Sequence, residues 1–192
     1  TYSRTAALTK ELAAYLQSLG LKPGDRVAIM MPNLLQYVIA MYACLRAGYI
    51  VVNINPLYTS REVNGTLRDS EAKAIIIIEN FAKTLQNALP GTKCEHIITT
   101  AVGDLFPFFK RTLVNFVVRK VKKMVPEYSL PNAVGFNEAL EIGRRHGFTA
   151  HEIHNTDIAF LQYTGGTTGV AKGAILTHRN LLANLQQVGY WL

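Results

Sequence analysis

The chain has 192 residues, 49% of them hydrophobic, so it is long enough to bury a sizeable core within one domain. Its 20 Lys and Arg residues outnumber 13 Asp and Glu residues, giving a formal net charge of +7. Cys44 and Cys94 stand alone, which argues against a disulfide scaffold and indicates a reducing compartment. The chain opens at Thr1 without an initiator Met or signal peptide, so we expect an internal piece of a longer protein.

Apolar periodicity predicts alternating helices and strands from the first residues onward. Residues 6–19 have helical spacing, and the Gly and Pro of "GLKPGD" end that helix. Buried strands are predicted at "RVAIMM", "YIVVNI", "AIIII" and "HIITT", with helices near residues 33–47, 60–70 and 80–89. Strands that are apolar on both faces and separated by helices indicate a mostly parallel sheet covered on both sides. The predicted fold class is α/β.

One uncharged segment imitates a membrane-spanning helix. Residues 27–45 carry no charge over nineteen positions, close to the length that crosses a bilayer. Pro32, Asn33 and Gln36 interrupt the apolar run, and a lipid-exposed helix would not tolerate such a break easily. The segment therefore predicts a buried strand, a turn and a helix.

Residues 105–126 contain no acid and six cations, which are Lys110, Arg111, Arg119, Lys120, Lys122 and Lys123. On a helix the apolar side chains occupy one arc, which comprises Leu113, Val114, Val117, Val118, Val121, Met124 and Val125. The opposite arc holds Arg111, Asn115, Arg119, Lys122 and Lys123. Such a helix suits an anionic membrane surface, although an ordinary surface helix packed on the sheet has the same pattern. Nucleic acid is disfavoured, since no aromatic and basic recognition pattern accompanies the charges.

The stretch "QYTGGTTGVAKGAILTHRN", residues 162–180, concentrates Gly and Thr around one lysine, directly after the strand candidate "IAFLQY". Ligands of parallel sheets bind where loops leave the carboxyl ends of strands. Glycines let consecutive N–H groups surround an anion, the threonine hydroxyls add donors, and Lys172 adds a mobile positive charge. The stretch therefore predicts a phosphate cradle. The alternative is a Gly/Thr-rich hairpin with an exposed lysine.

Neither of the two common nucleotide-binding patterns matches this stretch. A Walker loop needs Lys directly after Gly and before Ser or Thr, whereas Lys172 lies between Ala171 and Gly173. A Rossmann loop leads into a helix, but here "GAILTH" predicts another strand. The helix comes later, with Thr177 as its expected N-cap.

"YTGGTTGVAKGAILTHRN" resembles the signature of the adenylate-forming (AMP-binding) superfamily, whose usual form is close to Y-T-S-G-T-T-G-x-P-K-G. Here Gly165 replaces the serine and Ala171 replaces the proline. With "MMPNLLQY", "AGYIVVNINPLYTSRE" and "VNFVVRK" upstream, the chain resembles bacterial long-chain fatty acid–CoA ligases over essentially its whole length. The resemblance implies an ATP-dependent enzyme that converts long-chain fatty acids to acyl-CoA through an acyl-adenylate, with release of AMP and pyrophosphate.

The resemblance also implies roles for particular residues. Lys172 and Thr164 are the expected catalytic residues. The ATP-binding residues it implies are Tyr163, Thr164, Gly165, Gly166, Thr167, Thr168, Gly169, Val170, Ala171, Lys172, Gly173 and Ala174. His178 is expected either to line the substrate pocket or to bond locally in the first helical turn. Mg²⁺ would bridge phosphate oxygens and take few protein ligands, so no metal-ligating cluster is expected.

The resemblance further implies that residues 1–192 are part of a large N-terminal AMP-binding domain, without the small C-terminal domain. The fragment alone is then expected to be nearly inactive. Coenzyme A, ATP and a fatty acid are the implied substrates, and the implied location is cytoplasmic, peripheral on the inner face of the membrane. The alternative function is a non-catalytic nucleotide- or membrane-binding module derived from the same fold.

Overall fold

The computed structural model of the protein describes residues 1–164 and 172–191. Its strands are β1 (Arg26–Met30), β2 (Ile50–Asn53), β3 (Ala74–Ile78), β4 (His96–Thr100), β5 (Ala133–Gly135), β6 (Ile158–Thr164) and β7 (Lys172–Thr177). Its α-helices are α1 (Tyr2–Ser18), α2 (Leu35–Arg46), α3 (Ser60–Ser70), α4 (Ala82–Ala88), α5 (Phe108–Phe116), α6 (Phe136–His146) and α7 (His178–Trp191). A 3-10 turn, Glu79–Phe81, precedes α4, and a π-helical turn, Val117–Val121, extends α5.

In this part of the chain the seven strands form one sheet in the order β5-β4-β3-β1-β2-β6-β7. The pairs from β5 to β6 are parallel, and β7 alone among these strands pairs in an antiparallel way, with β6. The predicted mostly parallel α/β fold is therefore confirmed.

Two hydrophobic cores cover the two faces of the sheet, because successive strand residues point to opposite sides. On one face, Val51 and Ile76 pack with side chains of α1, α2 and α6. On the other face, Val52 and Ile77 pack with side chains of α3 and α4. This division places α2, which follows β1, and α3, which follows β2, on opposite faces of the sheet.

The uncharged segment over residues 27–45 folds as predicted. β1 ends at Met30, and α2 begins at Leu35 after the turn that contains Pro32. Gln36 is fully buried and donates to the Ala101 carbonyl oxygen at 2.9 Å, which explains how a polar residue is accommodated there. Within residues 1–164 and 172–191, every helix is too short or too polar to span a bilayer.

The helix that carries the cations of residues 105–126 is shorter than predicted. The helical path ends at Val121 and the backbone reverses at Lys123, whose φ is 50°, so Met124 and Val125 lie beyond the helix. The Lys122 N–H reaches back to the Val117 carbonyl and the Met124 N–H to that of Val118, as in a helix that closes with a left-handed residue. The Asn80 side chain then fixes the end through a 3.1 Å bond to the Met124 carbonyl oxygen.

The predicted apolar arc of this helix is also wrong in part. Val114, Val117 and Val118 are half-buried against the protein, whereas Leu113 and Val121 are exposed. The helical wheel assumes one constant angular step, whereas the π-helical turn Val117–Val121 changes that step for the residues it contains.

The predicted polar arc is not wholly solvent-facing either. The Asn115 side chain accepts from the Gly103 N–H at 2.8 Å and donates to Asp104 at 3.1 Å, so it faces the protein. Arg119 forms an ion pair at 2.6 Å with Glu79, whose side chain is 4% exposed. These polar residues attach the helix to the loop after β4 and to the 3-10 turn.

Candidate functional site

The Gly/Thr-rich stretch connects two paired strands at the carboxyl edge of the sheet. Thr164 ends β6 and is paired in register with Lys172, which begins β7 one residue earlier than predicted. The Lys172 side chain is exposed at this edge. The predicted ATP-binding residues Gly165, Gly166, Thr167, Thr168, Gly169, Val170 and Ala171 lie outside the described residues. The described ends bring Lys172 opposite Thr164. The catalytic and ATP-binding roles expected for these two residues remain predictions.

This edge contains the switch point of the sheet. The connection after β1 leads to α2 on one face, and the connection after the neighbouring β2 leads to α3 on the other face. Adjacent strands whose connections diverge in this way leave a crevice at their carboxyl ends, where open α/β sheets bind ligands. The crevice lies beside β6, which pairs with β2.

A cleft of about 390 Å³ occupies this crevice. We call it the amide cleft, because four of its lining residues carry side-chain amides and three more carry phenols: Asn33, Asn53, Asn55, Gln162, Tyr37, Tyr58 and Tyr163. None of its lining residues carries a formal charge. The lining therefore offers hydrogen bonds without charge, and the nearby positive charge comes from Lys172.

Three of these side chains form one hydrogen-bonded chain across two strands. The Tyr37 hydroxyl donates to Asn53 Oδ1 at 3.1 Å, and Asn53 Nδ2 donates to Gln162 Oε1 at 3.0 Å. Asn53 and Gln162 are aligned by the parallel pairing of β2 with β6. Burial raises the pKa of Tyr37 and outweighs the opposing effect of its bond to Asn53, so the phenol stays protonated as a donor.

Tyr163 faces the opposite side of β6 and is buried in the core beneath α3 and α4. Its hydroxyl donates to Asp69 Oδ2 on α3 at 2.5 Å. Burial first, and then the Asp69 carboxylate, raise the pKa of Tyr163 far above its usual range. The ring reaches one wall of the amide cleft, but the hydroxyl is engaged by α3. The ATP-binding role expected for Tyr163 remains a prediction.

Gly173 is fixed by the ring of Tyr163. A Cβ at Gly173 would lie 3.1 Å from Tyr163 Cζ and 3.4 Å from its hydroxyl oxygen, closer than the ring leaves room for. A glycine therefore lets β7 pack directly on the ring. Because Lys172 precedes Gly173, this contact helps to set where the lysine enters the site.

His178 lies near the amino-terminal end of β6, whereas the Gly/Thr-rich stretch follows its carboxyl end. Ile158, the first residue of β6, pairs with Thr177, so the seven-residue length of β6 separates His178 from that stretch. This length is about 20 Å at 3.3 Å per residue. His178 therefore cannot contact a phosphate bound beside Lys172.

His178 lies at the start of α7 and beside an apolar cleft, and both roles expected for it remain predictions. It is the first residue of α7, and the Thr177 cap is confirmed by a 3.4 Å bond from the Asn180 N–H to Thr177 Oγ1. It also borders an apolar cleft of about 760 Å³ between α1, α2 and α7, lined by residues such as Met41 and Leu181. Its role in a substrate pocket remains a prediction.

Sequence reasoning missed the Tyr37–Asn53–Gln162 chain. A weak signal was present, because Asn53 and Gln162 are polar residues near the carboxyl ends of otherwise apolar strands. In the part of the chain that the structure describes, no three His, Cys, Asp or Glu side chains come together as a metal site.

Comparisons with known proteins agree with this architecture. The family model of the AMP-binding enzymes matches residues 1–191. The chain is 56% identical over 189 residues to a long-chain-fatty-acid–CoA ligase of Salmonella typhimurium, covering 98% of this chain and 34% of that protein. It is 39% identical to the long-chain-fatty-acid–CoA ligase of Bacillus subtilis, covering 95% of this chain and 32% of the relative. The chain thus spans about a third of the length of the curated relatives it matches.

Solved structures show the same fold. The crystal structure of a long-chain-fatty-acid-CoA ligase from Archaeoglobus fulgidus superposes with a TM-score of 0.72 at 29% identity, over 98% of this chain and 32% of that one. The anthranilate CoA ligase AuaEII superposes with a TM-score of 0.74 at 22% identity, over 97% of this chain and 31% of that one, which supports the fold alone. With a family model that matches nearly every residue, the chain belongs to the AMP-binding enzymes.

Proposed function

We propose that this chain is the ATP phosphate-binding part of an AMP-forming long-chain fatty acid–CoA ligase. The observation that carries the proposal is the position of Lys172, a cation in register with the last residue of β6 at the carboxyl edge of the sheet. The 56% identity to long-chain-fatty-acid–CoA ligases supports the substrate class. The chain would be part of the large N-terminal domain, with the remaining substrate contacts supplied by other parts of the parent protein.

The proposed reaction has two displacement steps. A carboxylate oxygen of the fatty acid attacks the α-phosphorus of ATP, forming acyl-AMP and expelling pyrophosphate. The thiolate of coenzyme A then attacks the acyl carbon, forming the thioester and expelling AMP. Negative charge grows on the pyrophosphate in the first step, so positive charge and N–H donors aimed there lower the barrier.

The residues of this chain would act on that leaving group. Lys172 would neutralise the β- and γ-phosphates, and Thr164 with the following Gly/Thr stretch would supply hydrogen-bond donors. The uncharged lining of the amide cleft fits a neighbouring site for phosphates, since it places no carboxylate against them. Mg²⁺ would supply further charge neutralisation as a phosphate-bound ion that keeps most of its waters.

The full-length parent with Lys172→Ala tests the assignment. We expect the rate of ATP–pyrophosphate exchange to fall by about 10²–10³-fold, the usual effect of losing one preorganised contact to developing charge. Lys10→Ala is the matched control, because Lys10 is an exposed cation on α1. Equal exchange rates for the two variants, with both folded, would remove Lys172 from the mechanism.

The substrate class is tested by comparing acyl-CoA formation from oleate, acetate and benzoate. We expect oleate to be preferred, in keeping with the similarity to long-chain ligases. A preference for either small acid would overturn this part of the proposal. If the parent exchanges no pyrophosphate but still binds ATP, the chain belongs instead to a non-catalytic nucleotide-binding module.

We also propose that the parent binds the inner face of the membrane peripherally, from the cytoplasm. The supporting surface is the outward side of α5, here called the Phe109 surface: Phe108, Phe109, Leu113 and Phe116 with Lys110 and Lys120. Phe109 is 86% exposed, Leu113 63% and Phe116 57%, although large apolar side chains such as these are most often buried. Phe109, Leu113 and Phe116 recur at helical spacing, so they form one stripe.

Charge favours an anionic bilayer as the partner of this surface. Residues 105–126 contain six cations and no acid, and each cation near anionic lipid contributes about 1 kcal/mol or less. The Phe109 stripe would enter the acyl boundary between them. The surface differs from the arc that the sequence predicted, because Arg119 is engaged by Glu79 and the half-buried valines face the protein.

Co-sedimentation of the full-length parent with vesicles of phosphatidylglycerol and phosphatidylcholine tests this surface. We expect Lys110→Glu with Lys120→Glu to weaken binding at low salt, and Phe109→Ser with Phe116→Ser to weaken it at all salt concentrations. Lys10→Glu with Lys83→Glu, on α1 and α4, changes the net charge equally and is the control. Sedimentation of both surface variants like the wild type would mean that another part of the parent covers this surface.

A further inference from the structure

The hydrogen-bonded chain of Tyr37, Asn53 and Gln162 has a direction. Tyr37 gives its one proton to the oxygen of Asn53, and Asn53 gives an amide proton to the oxygen of Gln162. The chain is thus a series of donors that begins on α2 and crosses β2 to β6. Gln162 is the last residue of the series, and its side-chain carbonyl oxygen is occupied by the bond from Asn53.

The amino group of Gln162 is the free end of this series. Among the described residues it has no hydrogen-bond partner, and Gln162 lines the amide cleft. An amide whose oxygen is held in this way cannot rotate to present that oxygen to a ligand without breaking the bond to Asn53. The cleft therefore receives a donor from Gln162, which suits an anionic ligand.

Gln162 and Lys172 lie on the same face of the β6–β7 pair. Gln162 is directly opposite Ala174, and Lys172 precedes Ala174 by two residues on β7. Diagonal neighbours of this kind are about 7–8 Å apart, so two side chains of their length reach one phosphate group between them. A neutral donor and a cation consequently converge at the carboxyl edge.

We propose that Gln162 binds the phosphates of ATP beside Lys172, and that Asn53 and Tyr37 are positioning residues that hold its amide with the N–H groups outward. This inference rests on the proposed function, to which it adds a ligand contact and the device that orients it. Gln162 would bind a phosphate oxygen directly, whereas Asn53 and Tyr37 would act only through Gln162.

Substitution of Gln162 tests the contact in the full-length parent. Gln162→Met keeps the length of the side chain and removes both N–H donors, so kcat/KM for ATP in pyrophosphate exchange should fall by about 10- to 100-fold. The KM for the fatty acid should stay unchanged, since the donor faces the phosphates. Gln162→Glu, which adds a like charge, should lower kcat/KM for ATP at least as far.

Substitution of Asn53 tests the orienting role. Asn53→Leu keeps roughly the size of the side chain, adds no carboxylate to the cleft and has no proton to give, so the Gln162 amide is no longer held with its N–H groups outward. We expect kcat/KM for ATP to fall by about tenfold although Asn53 does not touch the ligand. The double variant Asn53→Leu, Gln162→Met should be no worse than Gln162→Met, since two residues that act through one contact are not additive.

Tyr37→Phe should produce a smaller loss, about threefold, because Asn53 keeps its own proton for Gln162. Tyr49→Phe is the matched control. Tyr49 is buried just before β2, at the far end of that strand from Asn53, and its hydroxyl donates to the Leu21 carbonyl oxygen. It should leave kcat/KM for ATP unchanged. Thermal unfolding of each variant separates loss of the contact from loss of the fold.

The outcomes distinguish this inference from the function beneath it. A wild-type parent that catalyses exchange while Gln162→Met and Gln162→Glu keep kcat/KM within twofold overturns the inference and leaves the proposed function intact. Additive effects of Asn53→Leu and Gln162→Met overturn the positioning role alone. A folded wild-type parent without exchange activity overturns the proposed function itself, and this inference with it.

Discussion

Arg119 provides the sharpest test of how the basic segment is attached to the fold. Its guanidinium binds the Glu79 carboxylate through Nε at 2.9 and 3.0 Å and through Nη2 at 2.6 Å. The Glu79 side chain is 4% exposed, whereas that of Arg119 is 50% exposed. Arg119→Met would keep most of the side-chain length and leave the carboxylate buried without its partner.

The expected loss of stability follows from this geometry. Removing one partner of a buried ion pair costs about 3–5 kcal/mol, because the other charge stays desolvated. Arg119 lies half in water, so solvent would reach Glu79 in the variant and recover part of that loss. We therefore expect the free energy of opening of α5 to fall by about 2–3 kcal/mol, below the value for a fully buried pair.

Hydrogen exchange of α5 amides in the full-length parent measures this change, at about tenfold in exchange rate for each 1.4 kcal/mol. Lys120→Met is the matched control, since Lys120 is the adjacent cation and makes none of the ion pairs found in residues 1–164 and 172–191. Glu79→Gln in the Arg119→Met background should restore much of the protection. If Arg119→Met exchanges like Lys120→Met, the pair contributes no stability and the helix is held by its half-buried valines and by the hydrogen bonds of Asn115.

Two further predictions concern stability, measured by denaturant unfolding of the full-length parent. Gly143→Ala should lower the free energy of unfolding by about 1–3 kcal/mol or more, because its Cβ would lie 1.9 Å from the Glu11 carbonyl oxygen. Gly65→Ala is the control: its Cβ would enter open space, so it should raise the free energy of unfolding by about 0.5–1 kcal/mol. Burial alone would raise the pKa of Asp25, but its bonds to the Lys22 N–H and to Lys73 lower it overall. The Asp25 carboxylate therefore stabilises the fold above its unfolded pKa of about 3.9, and the deficit of Asp25→Asn should be full at pH 7 and shrink below about pH 4.

The strands were predictable where local sequence decides. β3 begins and ends where the run "AIIII" does, because this run is apolar on both faces and is flanked by the charged Lys73 and Glu79. β4 likewise matches the run "HIITT", which is centred on two isoleucines. Thr177 was likewise identifiable as a cap, since its hydroxyl acts on an N–H three residues away. Such features depend on contacts within a few residues of the chain.

The amide cleft depends on contacts that no local pattern encodes. Asn53 and Gln162 are 109 residues apart, and they meet only because β6 pairs with β2. An apolar strand such as β6 has the same sequence pattern next to any neighbour. The arcs predicted for the basic segment were wrong in part for a related reason. A helical wheel with a constant angular step cannot anticipate the π-helical turn or the loop that engages Asn115.

The two faces of β6 have different parts in placing Lys172, the proposed phosphate-binding lysine. On the face toward α2, Gln162 ends the hydrogen-bonded series from Tyr37. On the face toward α3, Tyr163 is held by Asp69 and supports Gly173 of β7. Since Lys172 is bonded in sequence to Gly173 and is a diagonal neighbour of Gln162, both faces bear on its position.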